Sequence, residues 1–227
     1  MNPAGTTTSN NPGNGGQANV DLRGFGANRN IVLIDGRRAM PSSAGLTVDL
    51  NTIPVSAIGR VEVLRDGASA QYGSDAIAGV MNFILKDAPE GGSLEARYGE
   101  FTEEGESIYS IAGNIGVPFT DKGFLNASFE YGEADATSRS VQRDDAAALI
   151  AGGNTDVANP AQIWGSPEVA DDLKTFFNMG LEISDSAEAY AFGNYATKEV
   201  TGGFFFRNPK KPRRPRCAPL MPLTTVR

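Results

Sequence analysis

Histidine is absent from this 227-residue chain, and cysteine occurs once, at position 217. Without histidine there is no Ser-His-Asp triad, no Cys-His pair and no His-ligated metal; a lone Cys217 forms neither a zinc cage nor an internal disulfide. The 27 Asp and Glu residues leave a carboxylate-pair mechanism formally open, but acids in such number are mostly solvated surface. No enzyme activity, cofactor or metal site is expected. Long apolar runs are also missing, since no stretch reaches the ~18 residues of a spanning helix. Met1 opens onto Asn2-Pro3-Ala4-Gly5-Thr6 rather than a basic and then apolar signal segment. Basic residues are scarce outside the tail: the net charge is −7, and without the six Lys and Arg after Asn208 it becomes −13, with 14 basic against 27 acidic residues. A body that acidic is not expected to bind nucleic acid.

What the chain does have is glycine, 27 residues of it, and short alternating runs. Residues 1–19 are Asn, Gly, Thr, Ser and Pro with almost nothing apolar, a composition read as a flexible segment. The run IVLID at 31–35 predicts a buried strand closed by Gly36. Pro54 to Ile58 predicts a helical turn with proline at its first position, RVEVL at 60–64 a strand, Asp66 to Gly73 a turn and short helix, and Gly79 to Leu85 another strand. A small mixed unit emerges.

From Gly92 the pattern becomes strand after strand. Leu94, Ala96 and Tyr98 alternate with Glu95, Arg97 and Gly99, and the period of two continues through Tyr109–Val117, Leu125–Tyr131 and Phe177–Ile183. A fifth segment, Ala187 to Lys198, has no clear apolar face. The connections at Pro118–Gly123 and Asp185–Ser186 are short, whereas the one before Leu173 is long and carries Asp144, Asp145, Asp156, Trp164, Asp171 and Asp172. Short turns at one end and a long loop at the other suit a transmembrane barrel, apolar outside and polar inside. Alternation alone fits a soluble β-sandwich or adhesin equally well. The acids of the long loop fit no calcium-loop spacing and read as surface. The glycines of RGFGAN likewise miss the dinucleotide-binding spacing, and no helix pattern follows them.

Three linked segments carry a more specific signal: VDLRGFGANRNIVLIDGRR at 20–38, the run from Ile53 through RVEVLR, and YGSDAIAGVMNFI at 72–84. Together they resemble the second half of the plug domain of TonB-dependent outer-membrane receptors. The resemblance implies an α+β plug domain followed by antiparallel β strands of an incomplete transmembrane β-barrel. Its motif positions here are Arg23, Gly24, Asp35, Gly36, Arg60, Arg65, Tyr72, Gly73, Asp75 and Gly79. The glycines suit tight turns and close backbone approach, Tyr72 is expected to pack within the plug, and Arg23, Arg60, Arg65 and Asp75 are candidates for pairing with a polar inner wall. The family's substrate-facing apical loops fall at Asn28 and Arg29 and at Pro41, Ser42, Ser43 and Gly45. Asp66-Gly67, where many members have Gly-Pro, and Ala78 depart mildly from the motif.

The expected organisation is a flexible segment at 1–19, the later half of a plug at 20–90, the first five or so barrel strands at 91–207, and a tail at 208–227. That tail holds five of the 13 prolines and the single cysteine. It reads either as a basic polyproline II ligand or nucleic-acid patch or, preferably, as non-native sequence from a shifted frame or gene break. By resemblance the intact receptor would sit in the outer membrane in contact with its lipid, engage TonB through a segment not seen here, and import a large scarce nutrient: iron–siderophore, cobalamin or oligosaccharide. A plugged barrel of 22 strands needs on the order of 220 residues in strands alone, so this chain reads as a fragment inactive by itself.

Overall fold

The computed structural model describes residues 16–42, 46–65, 68–102, 106–163, 165–202 and 206–209. Among the described residues nine strands fall into two sheets. The first is a mixed sheet of β1 (Asn30–Ile34), β2 (Arg37–Arg38), β3 (Ile58–Leu64) and β4 (Gly79–Leu85), in the order β2-β1-β4-β3. β1 and β4 run parallel at its centre, and both flanking pairs are antiparallel.

β1 is one unbroken apolar run because both its faces are covered. Ile31 and Leu33 pack with Val80, Ala68 and Ala76 beside the short helix α1 (Ser69–Tyr72), and Tyr72 lies against this cluster. Val32 packs on the other face with Val20, Ala39, Met81 and Phe83. A strand buried on both sides loses the alternation that marks a half-exposed one. β1 and β2 are joined by Asp35 and Gly36 at φ 46° and 75°, the positive pair that an Asp-Gly hairpin turn requires. Pro54 lies just before the turn Val55–Ala57 rather than in its first position, extended at ψ 134°. Asp66 and Gly67 lie outside the described residues.

The second sheet is an antiparallel meander of β5 (Gly92–Glu100), β6 (Ser107–Thr120), β7 (Gly123–Ala134), β8 (Glu168–Ser184) and β9 (Ala187–Thr201), in sequence order. β5 and β9 are its two edges, so the barrel is not closed. β6 to β9 are longer than the ~9–11 residues that cross a bilayer as a tilted strand. Asp121-Lys122 and Asp185-Ser186 turn the chain at one end, the turn end. The other, the loop end, carries residues 135–167, which include a helix not anticipated in the sequence, α2 (Asp144–Ala151). Ala146 and Leu149 are its buried residues. Trp164 lies outside the described residues.

Register sorts the side chains into two faces. Ser128 opposes Asn114 and Phe176, and Asn178 opposes Asn126 and Phe192, so the inner face carries Asn114, Asn126, Ser128, Glu130, Lys174 and Asn178. The outer face carries Ile111, Ile115, Leu125, Phe129, Phe177 and Met179, all from the runs whose alternation is legible in the sequence. On that face the rings of Phe129 and Phe177 lie over Gly113 and Gly193 directly opposite, where an added Cβ would come within 2.4 and 2.7 Å of them. Aromatic rings covering cross-strand glycines pin the register. The fifth segment is ambiguous in sequence because Tyr190 and Phe192 of β9 turn inward: Phe192 stacks on Phe176, with ring centroids 6.1 Å apart, and the pair packs against Ile53, Ala57 and Leu85 of the mixed-sheet unit.

Candidate functional site

The mixed-sheet unit sits against the inner face of the meander through polar contacts from one end to the other. Near the turn end, Asn178 donates to the Lys86 carbonyl at 3.1 Å and Asn126 to that of Ala88 at 3.2 Å. In the β1–β2 turn, Asp35 accepts the Leu85 N–H at 2.9 Å through Oδ1 and the Tyr190 hydroxyl at 2.7 Å through Oδ2, while the Arg37 guanidinium lies 4.4 Å over the Tyr190 ring. Midway, the Val55 N–H donates to Glu130 at 3.0 Å, and the Ser56 hydroxyl to the Phe129 carbonyl at 3.2 Å. Glu130 also receives Lys174 at 2.8 Å, and Lys174 reaches Asp172 at 3.1 Å.

Towards the loop end, Asp49 collects three partners. Its Oδ1 accepts the N–H groups of Ala18 at 2.9 Å and Asn51 at 3.1 Å, capping the turn Leu50–Thr52. Its Oδ2 meets Lys198 of β9 at 3.0 Å. Lys198 also donates to the Gly16 carbonyl at 2.6 Å. Gly16 and Ala18 are therefore fixed to both units, within a stretch whose composition alone reads as flexible.

The predicted apical residues divide. Asn28 and Arg29 form an exposed turn leading into β1, with Arg29 donating to the Phe25 carbonyl at 2.7 Å. Pro41 meets Asn28 at a small cavity of about 80 Å3, which Arg38, Leu46 and Asp75 also line. Ser42 closes its loop: its N–H and hydroxyl both donate to the Thr47 carbonyl, at 2.9 and 3.1 Å, and its Oγ accepts the Asp49 N–H at 3.0 Å. Ser43 and Gly45 lie outside the described residues.

The motif charges pair within their own unit. Arg38 meets Asp75 at 2.8 Å, Arg60 meets Glu62 at 3.0 Å, and Arg23 donates to the Arg65 carbonyl. Asp35 is a motif acid that reaches the wall; Arg37, Asp49 and Glu130, which lie outside the motif positions named from sequence, reach across the seam as well. The sequence did carry a signal for Asp49, an acid directly before the turn-forming Leu50-Asn51-Thr52. Nothing local marks Glu130. The Arg60 guanidinium, with help from the Asn82 amide, holds the Glu62 carboxyl below the ordinary glutamate range. At the loop end, the Ser107 N–H and hydroxyl likewise hold Asp135 low. Among the described residues no group of three or more His, Cys, Asp or Glu side chains is arranged to hold a metal ion.

Residues 2–80 match the family model of the TonB-dependent receptor plug domain, including the stretch before Val20 that composition sets apart. Residues 2–80 are a TonB-dependent receptor plug domain. The chain is similar to the vitamin B12 transporters BtuB of Vibrio vulnificus, 45% identical over 80 residues, and Vibrio cholerae, 33% identical over 126 residues. Those alignments cover 35% and 55% of this chain but 13% and 20% of the relatives, so the chain spans a fifth or less of their length. Two Pseudomonas aeruginosa receptors share the fold. The ferric enterobactin receptor PfeA superposes with a TM-score of 0.62 at 16% identity, over 86% of this chain and 29% of its own. The siderophore receptor PirA gives 0.53 at 19% identity, over 79% and 29%. The meander is thus an open segment of barrel wall, and its polar inner face is the surface that meets the plug.

Proposed function

We propose that this chain is part of an outer-membrane receptor that imports a large, scarce nutrient such as an iron–siderophore complex, cobalamin or an oligosaccharide. The observation that carries the reading is the division of the wall into an apolar outer face, suited to lipid, and a polar inner face hydrogen-bonded to the plug. A soluble module gains nothing from exposing Ile115, Phe129 and Phe177 in one band. The organisation proposed is a plug reaching to about residue 90, wall strands through 207, and a basic tail that lies almost wholly outside the described residues.

No covalent bond is made or broken in this activity. Substrate binds the exposed loops around Asn28, Arg29, Pro41 and Ser42; TonB, acting from the inner membrane, then strains the plug and breaks a set of its wall contacts. Those contacts are single hydrogen bonds and ion pairs, each contributing on the order of 1 kcal/mol or somewhat more, so they yield one at a time. The test is uptake of labelled cobalamin and labelled ferric siderophore by receptor-deleted cells that express the complete receptor carrying this sequence, with and without TonB. Accumulation of one of them only in TonB-positive cells is expected. Uptake that persists undiminished without TonB sinks the reading.

A further inference from the structure

The connector from plug to wall, Lys86 to Gly91, is laid across the strands near their turn end. Gly116 of β6, Asn126 of β7 and Asn178 of β8 oppose one another on adjacent strands and form one row on the inner face. The row meets the connector along its length: Asn178 donates to the Lys86 carbonyl, Asn126 to the Ala88 carbonyl, and the Gly116 N–H to the Gly91 carbonyl at 2.9 Å. Gly116 also sets how closely the connector approaches. A Cβ there would overlap the Ala88 carbonyl oxygen and come within 3.1 Å of the Glu90 nitrogen, so the connector lies flat only over glycine. The asparagines are built into the wall, 3% exposed at Asn126 and 4% at Asn178. The Asn126 Oδ1 accepts the Asn114 amide at 2.5 Å, and that amide also reaches the Ser128 Oγ at 2.8 Å, which fixes the Asn126 amide with its N–H group towards the connector. Hydrogen bonds shielded from water and made by held donors are exchanged for solvent less readily than exposed ones. Towards the plug, the connector is held by its first residue, whose N–H donates to the Ala57 carbonyl at 2.9 Å.

We infer that Gly116, Asn126 and Asn178 form a seat that makes the connector part of the wall: when the plug unfolds, unfolding stops at Leu85, and residues 86–91 stay bound to β6, β7 and β8. Cooperative units within a protein open separately where the contacts between them are fewer than those within. Here the boundary between two such units falls ahead of β5, at the end of β4, and the seat fixes where β4 meets the wall. The inference goes beyond the uptake reading and does not depend on it.

The test is limited proteolysis of the complete receptor carrying this chain, by a glutamyl endopeptidase, in urea at the lowest concentration that exposes the Glu62–Val63 bond of β3. The Glu90–Gly91 bond reports the connector in the same digest. Mass spectrometry of the fragments gives both rates, each normalised to the rate in the fully denatured receptor. In the unaltered receptor Glu90–Gly91 is expected to be cut several-fold more slowly than Glu62–Val63. Gly116→Val, which pushes the connector off the wall, is expected to bring the two rates together. Asn194→Ser removes a plug–wall bond of the same kind elsewhere, to the Thr52 carbonyl at 3.2 Å, and is expected to leave Glu90–Gly91 resistant. If Gly116→Val fails to fold, Asn126→Ser combined with Asn178→Ser takes its place. Equal rates in the unaltered receptor overturn the inference. So does a connector that stays resistant without its seat, or one that Asn194→Ser exposes as much as the seat variants do. The digest needs neither TonB nor nutrient, so its outcome is separate from that of the uptake assay.

Discussion

Asp49 is 4% exposed and carries the contacts that join the plug, the residues before it and β9. Lys198→Ala removes its cationic partner among the described residues and leaves a buried carboxylate with two N–H donors. The expected loss is about 3 kcal/mol, the lower end for breaking a buried pair, read as a lower unfolding midpoint of the plug in denaturant. Gly79→Ala is expected to cost more than about 1 kcal/mol, because its φ of 146° is open to glycine and an added Cβ would sit 2.5 Å from the Leu64 carbonyl oxygen. Glu62 gives a pH-dependent case. Its folded pKa is lowered by Arg60, so the stability it contributes is present above the unfolded glutamate value and is lost as pH falls through the lowered folded one. A titration followed by carboxyl NMR shifts should show Glu62 moving up towards the ordinary value in Arg60→Ala. No movement would mean that the Arg60 contact does not set it.

At the scale of the element, the wall strands separate two sequence signals. The outer face is readable residue by residue, since Leu125 to Tyr131 and Phe177 to Ile183 alternate as a lipid-facing strand must. Phe177→Arg places a charge mid-strand on that face and is expected to cost roughly 2–4 kcal/mol of barrel stability, while a polar replacement of inward Asn178 is expected to cost far less. Heat-resistant migration of folded barrel on gels distinguishes them, and equal losses would mean that the faces are assigned wrongly. β9 hides its pattern because Tyr190 and Phe192 point at the plug, a use of aromatics that no period-two count foresees. α2 hides in its connection for a different reason: an Ala-rich segment of eight residues, with Ala146 and Leu149 as its buried positions, offers too short an apolar stripe to stand out.

For the whole molecule, the open sheet sets the expectation. Among the described residues β5 and β9 each leave a row of backbone groups without a strand neighbour, and in hydrocarbon every such group costs several kcal/mol, so these 227 residues by themselves are expected to form no stable pore. Expressed alone in receptor-deleted cells, they should restore no nutrient uptake. Restored, TonB-dependent uptake would show that the open wall closes by association of copies.

The sequence by itself determined the strand faces, the Asp-Gly hairpin turn, the central buried strand and the plug motif, because each depends on near neighbours: period-two alternation, positive φ, local hydrophobic runs. Only the tertiary structure decided which charges hold plug to wall. Asp35 with Tyr190, Asp49 with Lys198 and Glu130 with Val55 lie 155, 149 and 75 positions apart. What brings them together is strand register against a packed plug, and no local rule of composition or spacing encodes that distance.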